Sequence, residues 1–132
     1  MKKQLSFLTL ALAVLFMLPS CNLLSQPKGV KNISGTELLK VKKEQNAIVI
    51  DVRTPSEVSQ GYIDGTDKFM DYNGGVFSEE IKKLDKSKTY IIYCRSGGRS
   101  ANASAEMAAM GFKKVYNVEG VISSYTGKIK KP

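Results

Sequence analysis

The sequence predicts an α/β fold in which a mainly parallel central sheet of about five strands carries helices on both faces. Two observations predict it. Short apolar runs alternate with helical patterns from Val30 onward, and strands spaced by helices build a parallel sheet covered on both sides. Helix-start signals, a serine or threonine three residues before a glutamate, fall between those apolar runs.

The elements follow in order. Val30 to Ile33 reads as a first short strand. Ser34 and Glu37 form a capping-box signature, which predicts a helix running to about Glu44. Ala47-Ile48-Val49-Ile50 is a buried strand that ends at Asp51. Thr54 and Glu57 form a second capping box with Pro55 at the favoured first helical position, and Gly61 stops that short helix. Lys68 to Asp71 reads as an edge strand, Asn73-Gly74-Gly75 as a turn, and Ser78 to Leu84 as a helix with acidic residues in its first turn. Thr89-Tyr90-Ile91-Ile92-Tyr93 is the strongest strand candidate. An Ala- and Met-rich helix is predicted over Ser100 to Met110 and ended by Gly111. Val115 to Val118 is a last strand and Val121 to Tyr125 a last short helix. The chain shows no internal repeat and no low-complexity segment.

The 132 residues suffice for one domain. The beginning of the chain lies outside it. Lys2 and Lys3 are followed by 14 almost entirely apolar residues, Leu5 to Leu18. That run falls short of the roughly 20 residues that cross a bilayer and fits the core of a secretory signal. It ends in Leu18-Pro19-Ser20-Cys21, which resembles the lipobox of bacterial lipoproteins. The resemblance implies a signal peptide over residues 1–20 and an acylated Cys21, carrying chains such as palmitate, as the first residue of the mature protein. Residues 21–28 then hold the lipidated cysteine and a short tether, and residues 29–132 form the domain. Acyl chains hold a protein to a membrane with about 0.8 kcal/mol per buried CH₂. The expected location is an exported, membrane-anchored lipoprotein on the periplasmic or outer-surface side. Seven tether residues, Asn22 to Lys28, reach no more than roughly 25 Å, which keeps the domain close to its membrane.

From Cys21 onward there are 18 basic and 12 acidic side chains, a net charge of +6. Much of the excess lies in Lys82-Lys83, Lys86, Lys88 and the tail Lys128-Ile129-Lys130-Lys131, and it reads first as a solvated surface. A tethered basic domain also suits anionic lipid, at about 1 kcal/mol per nearby lysine. Aromatic and basic residues do not interleave as nucleic-acid binding would need. A monomer is favoured. Of the two cysteines, lipidation of Cys21 leaves Cys94 without an intramolecular partner, and an unpaired thiol in an exported chain is a candidate reactive group. The chain has no histidine, which excludes Cys-His proteases and Ser-His-Asp hydrolases in their usual forms and removes the common zinc ligands. No metal and no organic cofactor is expected.

Cys94 stands where the strongest strand ends and a helix is about to begin, the place where open α/β sheets bind ligands. Gly97 and Gly98 let the intervening backbone curl without a Cβ clash, and a curled loop turns its N–H groups inward as an anion nest. The helix end adds partial positive charge, and Arg95 and Arg99 bring two full charges. Such surroundings favour the thiolate and hold an anionic substrate without a general base.

Cys94-Arg95-Ser96-Gly97-Gly98-Arg99-Ser100 closely resembles the active-site loop of single-domain rhodaneses. The likeness extends upstream through Asp51-Val52-Arg53, Glu57 and Gly61-Tyr62-Ile63-Asp64-Gly65, and downstream through Gly111-Phe112 to Val118-Glu119-Gly120. It spans most of residues 30 to 125. Three positions depart from the family pattern: Tyr62 stands where a His is usual, Val121 where a second Gly is usual, and Tyr125 where a Trp is usual. The resemblance implies a rhodanese-like fold and a sulfurtransferase in which Cys94 carries a persulfide. Backbone N–H groups from Arg95 through Arg99, Gly97 and Gly98 included, would cradle the outer sulfur. Arg99 would close the loop and neutralise charge, Arg95 and Ser96 would face substrate, and Ser100 stands at the expected helix cap. Asp51 and Arg53 would form an ion pair beneath the site. The expected partners are a small sulfur-donor anion such as thiosulfate and a thiol acceptor, with cyanide as a laboratory substitute.

Two alternatives stay open at the level of sequence. A cysteine-dependent phosphatase or arsenate reductase also uses a low-pKa Cys in an anion loop, but tyrosine phosphatases leave five residues between Cys and Arg, and Arg99 leaves four. A non-enzymatic, membrane-tethered redox or binding module is the other, since an exposed thiolate can be oxidised to sulfenic acid.

Overall fold

The computed structural model describes residues 27–120, 122 and 125–132. Within them the chain forms β1 (Val30–Ser34), α1 (Leu38–Gln45), β2 (Ile48–Asp51), α2 (Pro55–Ser59), β3 (Tyr62–Ile63), β4 (Lys68–Phe69), α3 (Phe77–Ile81), β5 (Thr89–Tyr93), α4 (Gly98–Ala109), β6 (Lys114–Glu119) and β7 (Ile129–Lys130). Five strands make one sheet in the order β1-β6-β5-β2-β4, and every pairing in it is parallel. β4 is an edge strand, as expected. β3 and β7 form a separate antiparallel pair.

All five residues of β5 are buried. Their side chains alternate between two cores, as a strand covered on both faces must. Tyr90 and Ile92 join Ile50, Val52, Phe77, Ile81, Ala103 and Met107 on the side of α3 and α4. Ile91 and Tyr93 join Val49, Leu38, Ile63 and Val118 on the side of α1. The helices thus lie on both faces.

Several boundaries differ from the sequence expectations, each for a local reason. Ser34 does not cap α1. Its hydroxyl donates to Glu37 Oε2 (2.8 Å) instead of accepting from the backbone, and Glu37 N donates to the Ser34 carbonyl (3.1 Å), so a turn precedes a helix that starts at Leu38. Asn46 in the left-handed conformation (φ 48°) closes α1. The second box forms in full: Thr54 Oγ1 accepts from Glu57 N and the Glu57 carboxylate accepts from Thr54 N. The helix expected at Ser78 to Leu84 is shorter and begins earlier, at Phe77, anchored by the buried Phe77 and Ile81. The helix expected from Ser100 begins two residues earlier, at Gly98, because Gly97 takes a left-handed conformation (φ 94°) that a side chain would strain. The basic tail is not simply solvated. Ile129–Lys130 pairs with Tyr62–Ile63, and Lys128 and Lys130 lie 3.7 and 3.4 Å from the Asp64 carboxylate. The last short helix expected over Val121 to Tyr125 falls partly outside the described residues, as do the signal peptide and Cys21.

Candidate active site

The sheet topology selects the position of the site. From β2 the chain continues to β4 on one side of the sheet, and from β5 it continues to β6 on the other. The connections diverge at the carboxyl ends of β2 and β5, where doubly wound sheets open a crevice. Asp51-Val52-Arg53 and Cys94 stand at those two ends, and Val52 N donates to the Tyr93 carbonyl (3.0 Å) to hold them side by side.

Cys94 is 2% exposed and is a free thiol. The loop after it folds back over the sulfur. Gly97 N donates to Sγ at 3.0 Å and Ser100 N at 3.4 Å, while Ser100 Oγ lies within hydrogen-bond distance of both Sγ (3.4 Å) and the Gly97 carbonyl (3.1 Å), so its one proton is given to the carbonyl beside the thiol or to the sulfur of the thiolate. Burial alone would push the Cys94 pKa up. The hydrogen bonds from the Ser100 hydroxyl and from the backbone of Ser100, Gly97 and Ser96 outweigh it and hold the thiol below its ordinary value. The N–H groups of Gly98 and Arg99, the first two of α4, have no intrahelical acceptor and sit at the positive end of a 12-residue helix.

The two arginines part company. Arg95 is exposed and helps to line a cleft of about 300 Å³ with Arg53, Glu57, Gln60 and Gly61. Its carbonyl accepts from Ile122 N at 3.1 Å. Ser96 is exposed beside it. Arg99 is bound in place: Nη1 donates to Glu57 Oε2 (2.7 Å) and Nη2 to Glu57 Oε1 (2.8 Å). The Arg99 fork, with help from Thr54, draws the Glu57 carboxyl down to about 2. Hydroxyl and N–H groups of the loop thus lower the Cys94 pKa most, and the Arg99 charge interacts with Cys94 as well. Sequence reasoning treated Thr54–Glu57 as a cap alone and missed this link, which joins residues 42 positions apart and leaves no local signature. It also placed Ser100 at the cap. Gly97 holds that position, and the Ser100 side chain is buried against the sulfur.

Beneath the loop, the expected ion pair is present and buried. Arg53 Nη2 lies 2.7 Å from Asp51 Oδ2 and its Nε 3.0 Å from Oδ1, and Nη2 also donates to the Gly61 carbonyl (2.8 Å). Burial opposes the Arg53 charge, but the Asp51 carboxylate outweighs it. Beside the loop, Cys94 borders a cavity of about 220 Å³ whose lining joins Ile63, Tyr93, Val118, Ile122 and Tyr125 to the polar Ser34, Thr36 and Glu119. Tyr62 packs edge-on against Phe69 at 4.9 Å.

Comparison with known proteins agrees with this architecture. Residues 34–128 match the family described as the Rhodanese-like domain. YtwF of Bacillus subtilis, named as a candidate sulfurtransferase, is 36% identical over 102 residues, covering 76% of this chain and 95% of its own. The thiosulfate sulfurtransferase GlpE of Pseudomonas putida is 29% identical over 90 residues, covering 68% and 79%. The crystal structure of a rhodanese-like domain protein from Staphylococcus aureus superposes with a TM-score of 0.66 at 27% identity, covering 77% of this chain and 98% of that one. The chain belongs to the rhodanese-like domain family, and its relatives place it in the general class of rhodanese sulfurtransferases.

Proposed function

We propose that the protein moves a sulfane sulfur from a small anionic donor such as thiosulfate to a thiol, or to cyanide in the laboratory, through a persulfide on Cys94. The observation that supports this reading most is the ring of donors around Sγ, with Gly97 N at 3.0 Å and Ser100 N at 3.4 Å. In the first step the Cys94 thiolate attacks the outer sulfur of thiosulfate. A Cys94 S–S bond forms, the donor S–S bond breaks, and sulfite leaves with the electron pair. The product is a persulfide anion. Its outer sulfur is held by loop N–H groups that Sγ does not use, those of Gly98 and Arg99 among them. In the second step an acceptor thiolate attacks that sulfur, becomes a persulfide, and returns the thiolate to Cys94; cyanide leaves as thiocyanate. The scheme is ping-pong and needs no general base.

In this reading Arg99 acts through its pair with Glu57, which pins the first turn of α4 and keeps the ring closed. Exposed Arg95 and Ser96 meet the donor. Acylation of Cys21 ties the protein to a membrane outside the cytoplasm. Thiocyanate formation from thiosulfate and cyanide tests the activity. Parallel-line kinetics that vanish in Cys94→Ser are expected. No turnover with any sulfane donor, or Cys94-dependent hydrolysis of an aryl phosphate in its place, contradicts the proposal.

A further inference from the structure

Because all five strands of the main sheet are parallel, their starting ends share one pole of the domain and Cys94 stands at the other. The lysines are distributed unevenly between the two. Lys28 and Lys31 flank the start of β1, Lys43 lies in the last turn of α1, Lys86 and Lys88 stand in the turn before β5, and Lys113 and Lys114 open β6. All seven are exposed. The backbone draws them together: Lys113 N donates to the Lys86 carbonyl (3.3 Å) and Val115 N to the Gly29 carbonyl (3.1 Å). Two shallow hollows adjoin at Gln45, one lined by Lys42, Lys43 and Lys88, the other by Lys31, Lys113 and Lys114.

Among the described residues, none of these seven ammonium groups has a carboxylate within salt-bridge distance, whereas Lys82 and Lys83 after α3 and Lys128 and Lys130 beside Asp64 are each paired. The acids near the pole are engaged. Asp67 binds Lys42, and Asp85 accepts from the backbone and hydroxyl of Ser87. The excess positive charge is therefore concentrated on one face, where Asp85 and Glu44 offset only part of it.

We propose that this lysine-rich pole is the surface with which the domain lies against an anionic lipid bilayer, and that it directs Cys94 away from the membrane toward soluble partners. The proposal rests on the reading of Cys21 as a lipid anchor. The described chain begins at this pole, where Val30 N donates to the Pro27 carbonyl (3.1 Å). Six residue steps separate Pro27 from Cys21 and reach at most about 20 Å, so an anchored Cys21 presents this pole to the lipid first. Lysines held that near an anionic leaflet are attracted over a Debye length of about 8 Å at physiological ionic strength. β5 runs its five residues, roughly 16 Å, from this pole toward Cys94, which leaves the sulfur beyond that range.

The test is an amine-acylation footprint, read by mass spectrometry, of the full chain on vesicles of phosphatidylcholine alone or mixed with phosphatidylglycerol. On the mixed vesicles at low salt, Lys31, Lys43, Lys86, Lys88, Lys113 and Lys114 should lose reactivity several-fold, while Lys131 keeps its own. High salt should reverse the protection. The combined variant Lys86→Glu, Lys88→Glu, Lys113→Glu and Lys114→Glu should abolish it and leave sulfur uptake by Cys94 unchanged. Equal reactivity of the pole on both vesicle types, as a pole reserved for an acidic protein would show, overturns the proposal, as does equal protection of Lys131. Flotation with neutral vesicles reads the anchor by itself, so failure of the anchor and failure of the docking face are told apart.

Discussion

The Cys94 thiol is held below its ordinary pKa by donors within its own loop. Burial works against the thiolate, and hydrogen bonds from Ser100, Gly97 and Ser96 reverse the balance. Ser100 is therefore expected to matter beyond packing. In Ser100→Ala the pH profile of Cys94 alkylation should move to higher pH, because a thiolate with one donor fewer is less favoured. An unmoved profile would remove Ser100 from the account. Glu57 makes the second prediction. Its carboxyl ionises near 2 rather than at the ordinary 4.5, so its folded pKa is depressed. Stability from its pair with Arg99 is fully present above about pH 4.5 and is lost as pH falls toward 2. The melting-temperature difference between wild type and Glu57→Gln should shrink across that window; a constant difference would contradict the link. Asp51 makes the third. Asp51→Ala leaves the Arg53 guanidinium buried without its counter-charge, and breaking a buried pair on one side costs about 3–5 kcal/mol. Chemical denaturation measures it, and a loss below about 1 kcal/mol would show that Gly61 and solvent suffice.

At the scale of elements, the loop from Cys94 to Ser100 works because one turn within it and one helix beside it are fixed. Gly97 at φ 94° turns its N–H onto the sulfur and starts α4 two residues before the polar Ser100 would have suggested. Gly97→Ala meets only ordinary contacts at 3.7 and 3.8 Å, so its cost is conformational, about 1–2 kcal/mol. Thiolate reactivity should fall with it, measured by alkylation rate at neutral pH; unchanged reactivity would mean that the ring tolerates another turn. The second fixed piece is α2, whose capping box was legible because Thr54, Pro55 and Glu57 lie within four residues. Its contact with Arg99 was not legible, because it exists only once β2 and β5 lie side by side. The Ser34–Glu37 signature misled for the opposite reason. The residue types were right, but Ser34 continues the pairing of β1 with β6, and its hydroxyl turns to the Glu37 side chain instead.

At the scale of the molecule, the alternation of strands and helices carried the sheet, its parallel pairing and its two-sided cover into view, since β5 is buried throughout and β2 beside it opens on Ile48-Val49-Ile50. What escaped was long-range and brief. The β3–β7 pair is two residues on each side and draws on a lysine-rich tail that composition marks as solvated. The unpaired lysine pole emerges only when five strand starts are brought to one end. The central claim concerns one atom, Sγ of Cys94, and a mass measurement reaches it most directly. After exposure to thiosulfate and removal of excess donor, the intact chain should be heavier by one sulfur atom, Cys94→Ser should not be, and cyanide should return the wild-type mass. A wild-type chain that gains no sulfur from thiosulfate or any other sulfane donor would contradict the account.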